Sequence, residues 1–175
     1  MAHGHVTLVT GGARSGKSAL AERLTLRHGG TPVYIATAEA RDTEMAARID
    51  LHRQRRGAGW QVIEEPADLV QALRRSDGAG ARLVDCLTLW LANCGEDADI
   101  PRLAGTLRAM QSPVVLVTNE LGQGIVPANA VARRFRDRHG WMNQTIAAAA
   151  DQVWMAVSGQ PLRLKPGKDD PDEVL

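Results

Sequence analysis

Gly11-Gly12-Ala13-Arg14-Ser15-Gly16-Lys17-Ser18 puts four residues between two glycines and follows the second with lysine and serine. This is the spacing of a loop that cradles phosphate. Glycines let the chain turn tightly, so successive N–H groups point inward at phosphate oxygens. A helix starting right behind the loop adds its own free N–H groups and its positive end. In such a loop Lys17 bridges the β- and γ-phosphates of a nucleoside triphosphate, and the Ser18 hydroxyl ligates Mg2+. The competing reading is a glycine-rich turn with a chance lysine, and the flanks speak against it. A β-branched run over 6–10 enters the loop and a helix-forming run over 19–24 leaves it. Strand before and helix after is the context the motif requires.

Two further residues can do chemistry. Asp85 ends the short apolar run of residues 82–85, where proteins with such a loop place their second Mg2+ anchor. The weaker competing reading is a solvated acid that opens a turn or caps the helix expected from Leu87. His52 stands among Arg48, Arg53, Arg55 and Arg56 on what reads as one helical face. A lone histidine there is ordinarily a solvated surface residue. The cationic face would nevertheless keep the imidazole neutral and draw phosphate to it. Neutral imidazole is a competent nucleophile towards phosphorus. Spacing leaves both readings of His52 standing. The guanine-reading NKxD element of GTPase switches is absent, since Thr118-Asn119-Glu120-Leu121 follows the apolar run at 114–117.

These residues need a frame. Strand-like runs over 33–37, 60–64, 82–85, 114–118 and 153–157 alternate with helix-like runs. The helices are expected over 42–56, 67–75, 103–110 and 129–150, the last with a break at His139-Gly140, and one more begins at 87–91. Residues 76–81, 93–101 and 119–127 read as turn or loop. Residues 161–175 read as a tail, frayed from about 166. Alternation with short connections predicts one α/β domain over 1–175, a RecA-like P-loop NTPase fold. Its mainly parallel sheet carries helices on both faces. Ligands gather at the carboxyl ends of such strands. The loop at 11–18, Thr37, Asp85, Asn119 and Glu120 all fall there.

Composition narrows the function classes. Of 175 residues 44% are apolar and 23% charged, with net charge +1. No basic field suggests a nucleic-acid partner, and 3% aromatics leaves little for base stacking. Cys86 and Cys94 match no metal spacing and are expected as buried thiols. No apolar run is long enough for a membrane span, and the N-terminus lacks the order of a signal peptide. His3 and His5 are incidental. A cytoplasmic protein with no membrane partner is expected.

The series taken in order is more specific than any one motif. GGARSGKS at 11–18 is followed by YIATAEA at 34–40 and DTEMAARI at 42–49, with His52 three residues later. GAGW at 57–60, EEP at 64–66, DCLTLWLAN at 85–93 and TNELGQGIVPANAVARRFRD at 118–137 complete it. The chain thereby resembles the bifunctional adenosylcobinamide kinase / adenosylcobinamide-phosphate guanylyltransferase family from about residue 6 to residue 165. The resemblance implies a P-loop α/β fold and a homotrimer with sites near subunit interfaces. It implies adenosylcobinamide and its phosphate as partners, GTP and ATP as substrates, and Mg2+. Carried over residue by residue, Gly11, Gly12, Ala13, Arg14, Ser15, Gly16, Lys17 and Ser18 match the nucleotide-phosphate loop. Ala36, Thr37 and Ala38, with Arg53, Gln54, Arg55 and Arg56, match nucleotide-contacting segments. Glu64 and Asp85 match further acids on the nucleotide or Mg2+ side, with Ser18 and Asp85 as metal ligands. His52 matches the histidine that is guanylylated during transfer. The segment 94–101 is short and polar for the family, and Trp141, Met142 and Thr145 depart from its pattern. A plain P-loop kinase, or a non-enzymatic nucleotide-binding module, is what the residues alone leave open beside this.

Overall fold

The computed structural model describes residues 4–40, 43, 47, 50 and 59–166. Nearly all of the helix expected over 42–56 lies outside the described residues, including His52, Arg53, Gln54, Arg55 and Arg56. The described positions within it, Thr43, Ala47 and Asp50, are helical.

Among the described residues seven strands form one sheet in the order β3-β2-β4-β5-β1-β6-β7. They are β1 (Val6–Gly11), β2 (Val33–Ala36), β3 (Gln61–Glu64), β4 (Arg82–Val84), β5 (Val114–Val117), β6 (Gln152–Val157) and β7 (Gln160–Lys165). All but β7 run parallel. Apart from the helical positions 43, 47 and 50, the α-helices among the described residues are α1 (Lys17–Leu26), α2 (Leu69–Arg75), α3 (Leu87–Cys94), α4 (Ile100–Ala109) and α5 (Ala130–Ala149). Strands buried on both faces read as unbroken apolar runs, which is what β5 (VVLV) is, whereas β1 (VTLVTG) is buried throughout but interrupted by Thr7 and Thr10.

Alternation along each strand divides the core. Val6, Leu8, Ile35, Val84, Val114 and Leu116 face α2, α3, α4 and α5, where Leu73, Leu91, Leu107 and Ile146 meet them. Val9, Tyr34, Leu83, Val115 and Val117 face the other way, against Leu20 and Ala21 of α1. Side-chain caps start three helices: Asp68 accepts from the Gln71 N–H, Asp99 from Arg102 and Asn129 from Val131. At the amino end of β4, the Arg82 guanidinium is fully buried. It donates to the Leu73 and Ser112 carbonyls and pairs with Asp77 at 3.0 Å.

Three expectations change. Residues 160–165, expected as part of a tail, form the edge strand β7, antiparallel to β6. A two-residue turn, Ser158-Gly159, joins them with φ of 50° and 79°, the doubly positive φ of a type I′ hairpin. Pro161 is tolerated because an edge strand leaves one side of its ladder unused. Helix α5 runs unbroken through His139-Gly140, since His139, Met142 and Ile146 on its buried face outweigh the roughly 1 kcal/mol propensity cost of a helical glycine. Cys86 and Cys94 are free thiols but only half-buried.

Candidate functional site

The loop at 11–18 leaves the carboxyl end of β1 with a backbone that glycine makes possible. Gly11 has φ +151°, and a Cβ there would lie 2.6 Å from both the Ala156 carbonyl oxygen and Ser15 Oγ. Gly16 has φ +92° and sits at the N-cap of α1 without a side-chain cap. The first N–H groups of α1 therefore face the loop's interior unclaimed by a cap. The β6–β7 turn braces the loop from outside: the Gly159 N–H donates to the Ser15 carbonyl at 2.9 Å. Lys17 Nζ donates to the Gly12 carbonyl at 3.0 Å, so the ammonium lies across the loop it would share with phosphate. Burial lowers its pKa, an effect that Cys86 partly opposes.

Beyond β5, at the same end of the sheet, β2 and β4 pair side by side and end together. Asp85 Oδ1 accepts the Thr37 N–H at 2.9 Å and the Thr37 hydroxyl at 2.7 Å, and Oδ2 accepts the Tyr34 hydroxyl at 3.2 Å. Asn93 of α3 donates to the Thr37 carbonyl at 2.8 Å. Asp85 does not cap α3; the cap position is Cys86, with no side-chain cap bond. Three donors leave about one of a carboxylate's four lone-pair directions free. Among the described residues no group of three His, Cys, Asp or Glu could hold a metal ion. One hydroxyl, Ser18, and one carboxylate, Asp85, are nonetheless the kind of hard, sparse oxygen set that Mg2+ takes when phosphates and water complete its shell.

Strand β5 lies between β1 and β4, which puts Asn119 and Glu120 between the loop and Asp85. Glu120 accepts a hydrogen bond from the Thr10 hydroxyl, one residue before the loop. Asn119 Nδ2 donates to Thr88 Oγ1 at 2.9 Å and approaches Cys86 Sγ at 3.9 Å. The carboxyl ends of β1, β2, β4 and β5 thus bring together the loop, Ala36, Thr37, Asp85, Asn119 and Glu120. Glu64 continues this row on its far side, paired with Ala36. It ends β3, an exposed edge strand with β2, β4 and β5 between it and β1, roughly 19 Å away at about 4.8 Å per strand. Sequence reasoning missed Tyr34, Thr88, His139 and Asn143, and also the turn at 158–159 that holds the loop. For His139 the only signal was a histidine in register with Phe135, Met142 and Ile146.

Fold and site together define a P-loop nucleotide-binding protein of RecA-like architecture. The chain matches the cobinamide kinase / cobinamide phosphate guanyltransferase family over residues 7–164, and it belongs to that family. It is 46% identical over 166 residues to the bifunctional adenosylcobalamin biosynthesis protein CobP of Pseudomonas aeruginosa, spanning 90% of this chain and 96% of that protein. The bifunctional adenosylcobalamin biosynthesis protein CobU of Salmonella typhimurium is 43% identical over 182 residues, with 90% and 98% covered. The protein of the same name from Escherichia coli K12 is 40% identical over 179 residues, again with 90% and 98% covered. Among solved structures, the RadB recombinase superposes with a TM-score of 0.51 at 16% identity, over 88% of this chain and 74% of that one. That likeness concerns the fold alone.

Proposed function

We propose that this protein phosphorylates adenosylcobinamide and then transfers GMP from GTP to the product, giving adenosylcobinamide-GDP in cobalamin biosynthesis. The observation that carries the reading is a complete phosphate loop on β1–α1, with Asp85 at the same end of the sheet one strand beyond β5, in a chain of this family. In the kinase step the aminopropanol hydroxyl oxygen bonds the γ-phosphorus and the bond to the β–γ bridging oxygen breaks. The nucleoside diphosphate leaves with that electron pair, and the hydroxyl proton goes to water. Lys17 and the N–H groups at the start of α1 are placed to stabilise charge on the phosphoryl oxygens. Ser18 and Asp85 would hold Mg2+, which neutralises charge on the β- and γ-phosphates when bound. ATP or GTP serves as the phosphoryl donor.

In the transfer step, His52 attacks the α-phosphorus of GTP and pyrophosphate leaves. A phosphate oxygen of adenosylcobinamide phosphate then attacks the same phosphorus, and the imidazole leaves. Dividing the reaction keeps GMP on the protein until the bulky acceptor arrives. His52 takes this role from the family resemblance, as Ala36, Thr37, Ala38, Glu64 and the residues at 53–56 take nucleotide contact. A cytoplasmic homotrimer is the assembly proposed. Among the described residues no helix is long and apolar enough to cross a membrane.

The test is product analysis with adenosylcobinamide, ATP and GTP in the presence of Mg2+. Adenosylcobinamide phosphate should form first and adenosylcobinamide-GDP second. Lys17→Ala should slow the first product by at least about 10²-fold. A plain kinase would stop at the phosphate, and a binding module would make neither product.

A further inference from the structure

Between the sheet and α5 lies a set of polar side chains that the proposed chemistry does not use. His139 is 1% exposed. Its Nε2 lies 2.8 Å from Thr88 Oγ1 and 3.3 Å from Thr118 Oγ1. The Thr118 hydroxyl donates to Asn143 Oδ1 at 2.7 Å, and Asn143 Nδ2 donates to the Asn119 carbonyl at 2.9 Å. Asn119 Nδ2 donates in turn to Thr88 Oγ1. In the assignment that links them, Thr88 accepts from Asn119 and gives its proton to a neutral His139. Burial favours that neutral ring, lowering its pKa to about 4. The Phe135 ring packs against it, with centroids 6.3 Å apart.

Burying so many polar atoms against Met142 and Ile146 costs free energy unless each is paired. An apolar residue at 139 would be the simpler way to fill the space. What the arrangement achieves is to hold Asn119 by both its backbone and its side chain. One amide hydrogen of Asn119 is spent on Thr88. Among the described residues the other has only the Cys86 sulfur, 3.9 Å away, and Cys86 is also the group that bears on Lys17. The register sets the height of the site, because the Thr118 N–H donates to the Val9 carbonyl at 2.9 Å. Asn119 therefore stands level with the end of β1, where the phosphate loop begins.

We propose that Asn119 donates its second amide hydrogen to the transferring γ-phosphoryl group, and that His139 is a positioning residue that fixes this amide through the Thr88 hydroxyl. The proposal rests on the kinase reading above. A fixed donor aimed at charge that develops in the transition state raises kcat more than it tightens nucleotide binding. The relay and the amide must then act as one unit.

A double-mutant cycle on kinase turnover tests this. Asn119→Ala and His139→Leu should each lower kcat by about 10²-fold, with the nucleotide KM within about threefold of wild type. His139→Gln puts an amide near the Nε2 position and should recover most of the loss. In the Asn119→Ala background, His139→Leu should do nothing further. If thermal melts show that His139→Leu does not fold, Thr88→Val takes its place in the same cycle. Effects that multiply in the double variant would overturn the relay, as would full kcat in Asn119→Ala. A wild-type protein without kinase activity would overturn the functional reading along with it, which separates the two failures.

Discussion

Thr37 gives both its backbone N–H and its hydroxyl to a single oxygen of Asp85, at 2.9 and 2.7 Å. The acid is thereby locked at the end of β4 with its other oxygen turned to Tyr34. Asp85→Asn keeps an oxygen that can accept both Thr37 bonds but removes the charge. The fold should survive, while kinase activity falls on the order of 10²-fold and partly recovers as Mg2+ is raised. An unchanged Mg2+ dependence would leave Asp85 only the task of holding Thr37.

The two glycines that open the phosphate loop should respond differently to a methyl group. At Gly11 the added Cβ meets a carbonyl oxygen and Ser15 Oγ at 2.6 Å, on a backbone of φ +151°. Gly11→Ala should cost about 1–3 kcal/mol of stability and lower Tm by several degrees. At Gly12 the Cβ meets nothing within 4 Å, so Gly12→Ala should stay within about 0.5 kcal/mol of wild type. Thermal melts without nucleotide make the comparison, and equal losses would contradict the loop geometry.

What the sequence could disclose follows the range of the interactions. The phosphate loop was legible because its residues are consecutive and its flanks are unmistakable. The gathering of Thr37, Asp85, Asn119 and Glu120 was legible because a parallel sheet aligns its strand ends. The edge strand β7 was not, since Pro161 and the exposed alternation of Leu162, Arg163, Leu164 and Lys165 carry no core signal. The His139 relay was hidden for a different reason. Thr88 and His139 are 51 residues apart, and a polar residue beside Gly140 in an apolar stripe resembles the end of a helix.

Asp77 should matter more for stability than its partly exposed position suggests. Burial alone would push its carboxyl pKa up, but the Ser112 and Gln111 N–H groups and the Arg82 guanidinium outweigh that and hold it below the usual range. Asp77→Ala strands the buried Arg82 charge and should cost about 3–5 kcal/mol. Adding Arg82→Met should recover part of the loss, because no buried charge then lacks a partner. Urea unfolding of the single and double variants measures both, and a double variant no more stable than Asp77→Ala would contradict the pairing.

The buried imidazole of His139 sets an acid limit on stability. The native ring takes a proton only near pH 4, whereas the unfolded one does so near 6.5. The unfolded state therefore binds more protons between those values, and stability falls as pH drops from 6.5 towards 4. The loss is on the order of 3 kcal/mol and is complete once the native ring is protonated. His139→Gln should show a shallower dependence over the same range. Unfolding free energies of both proteins between pH 4 and 7 test this, and parallel curves would contradict a neutral buried ring.

The most direct measurement on the function is covalent labelling. The protein is incubated with α-labelled GTP and Mg2+, denatured and digested, and the labelled residue is mapped. Label should stay with the wild-type chain, on His52, through an acid-labile and alkali-stable bond. His52→Ala should lose the label and adenosylcobinamide-GDP formation while still phosphorylating adenosylcobinamide. A wild-type chain that keeps no label, or a His52→Ala chain that keeps it all, would contradict guanylyl transfer through this histidine.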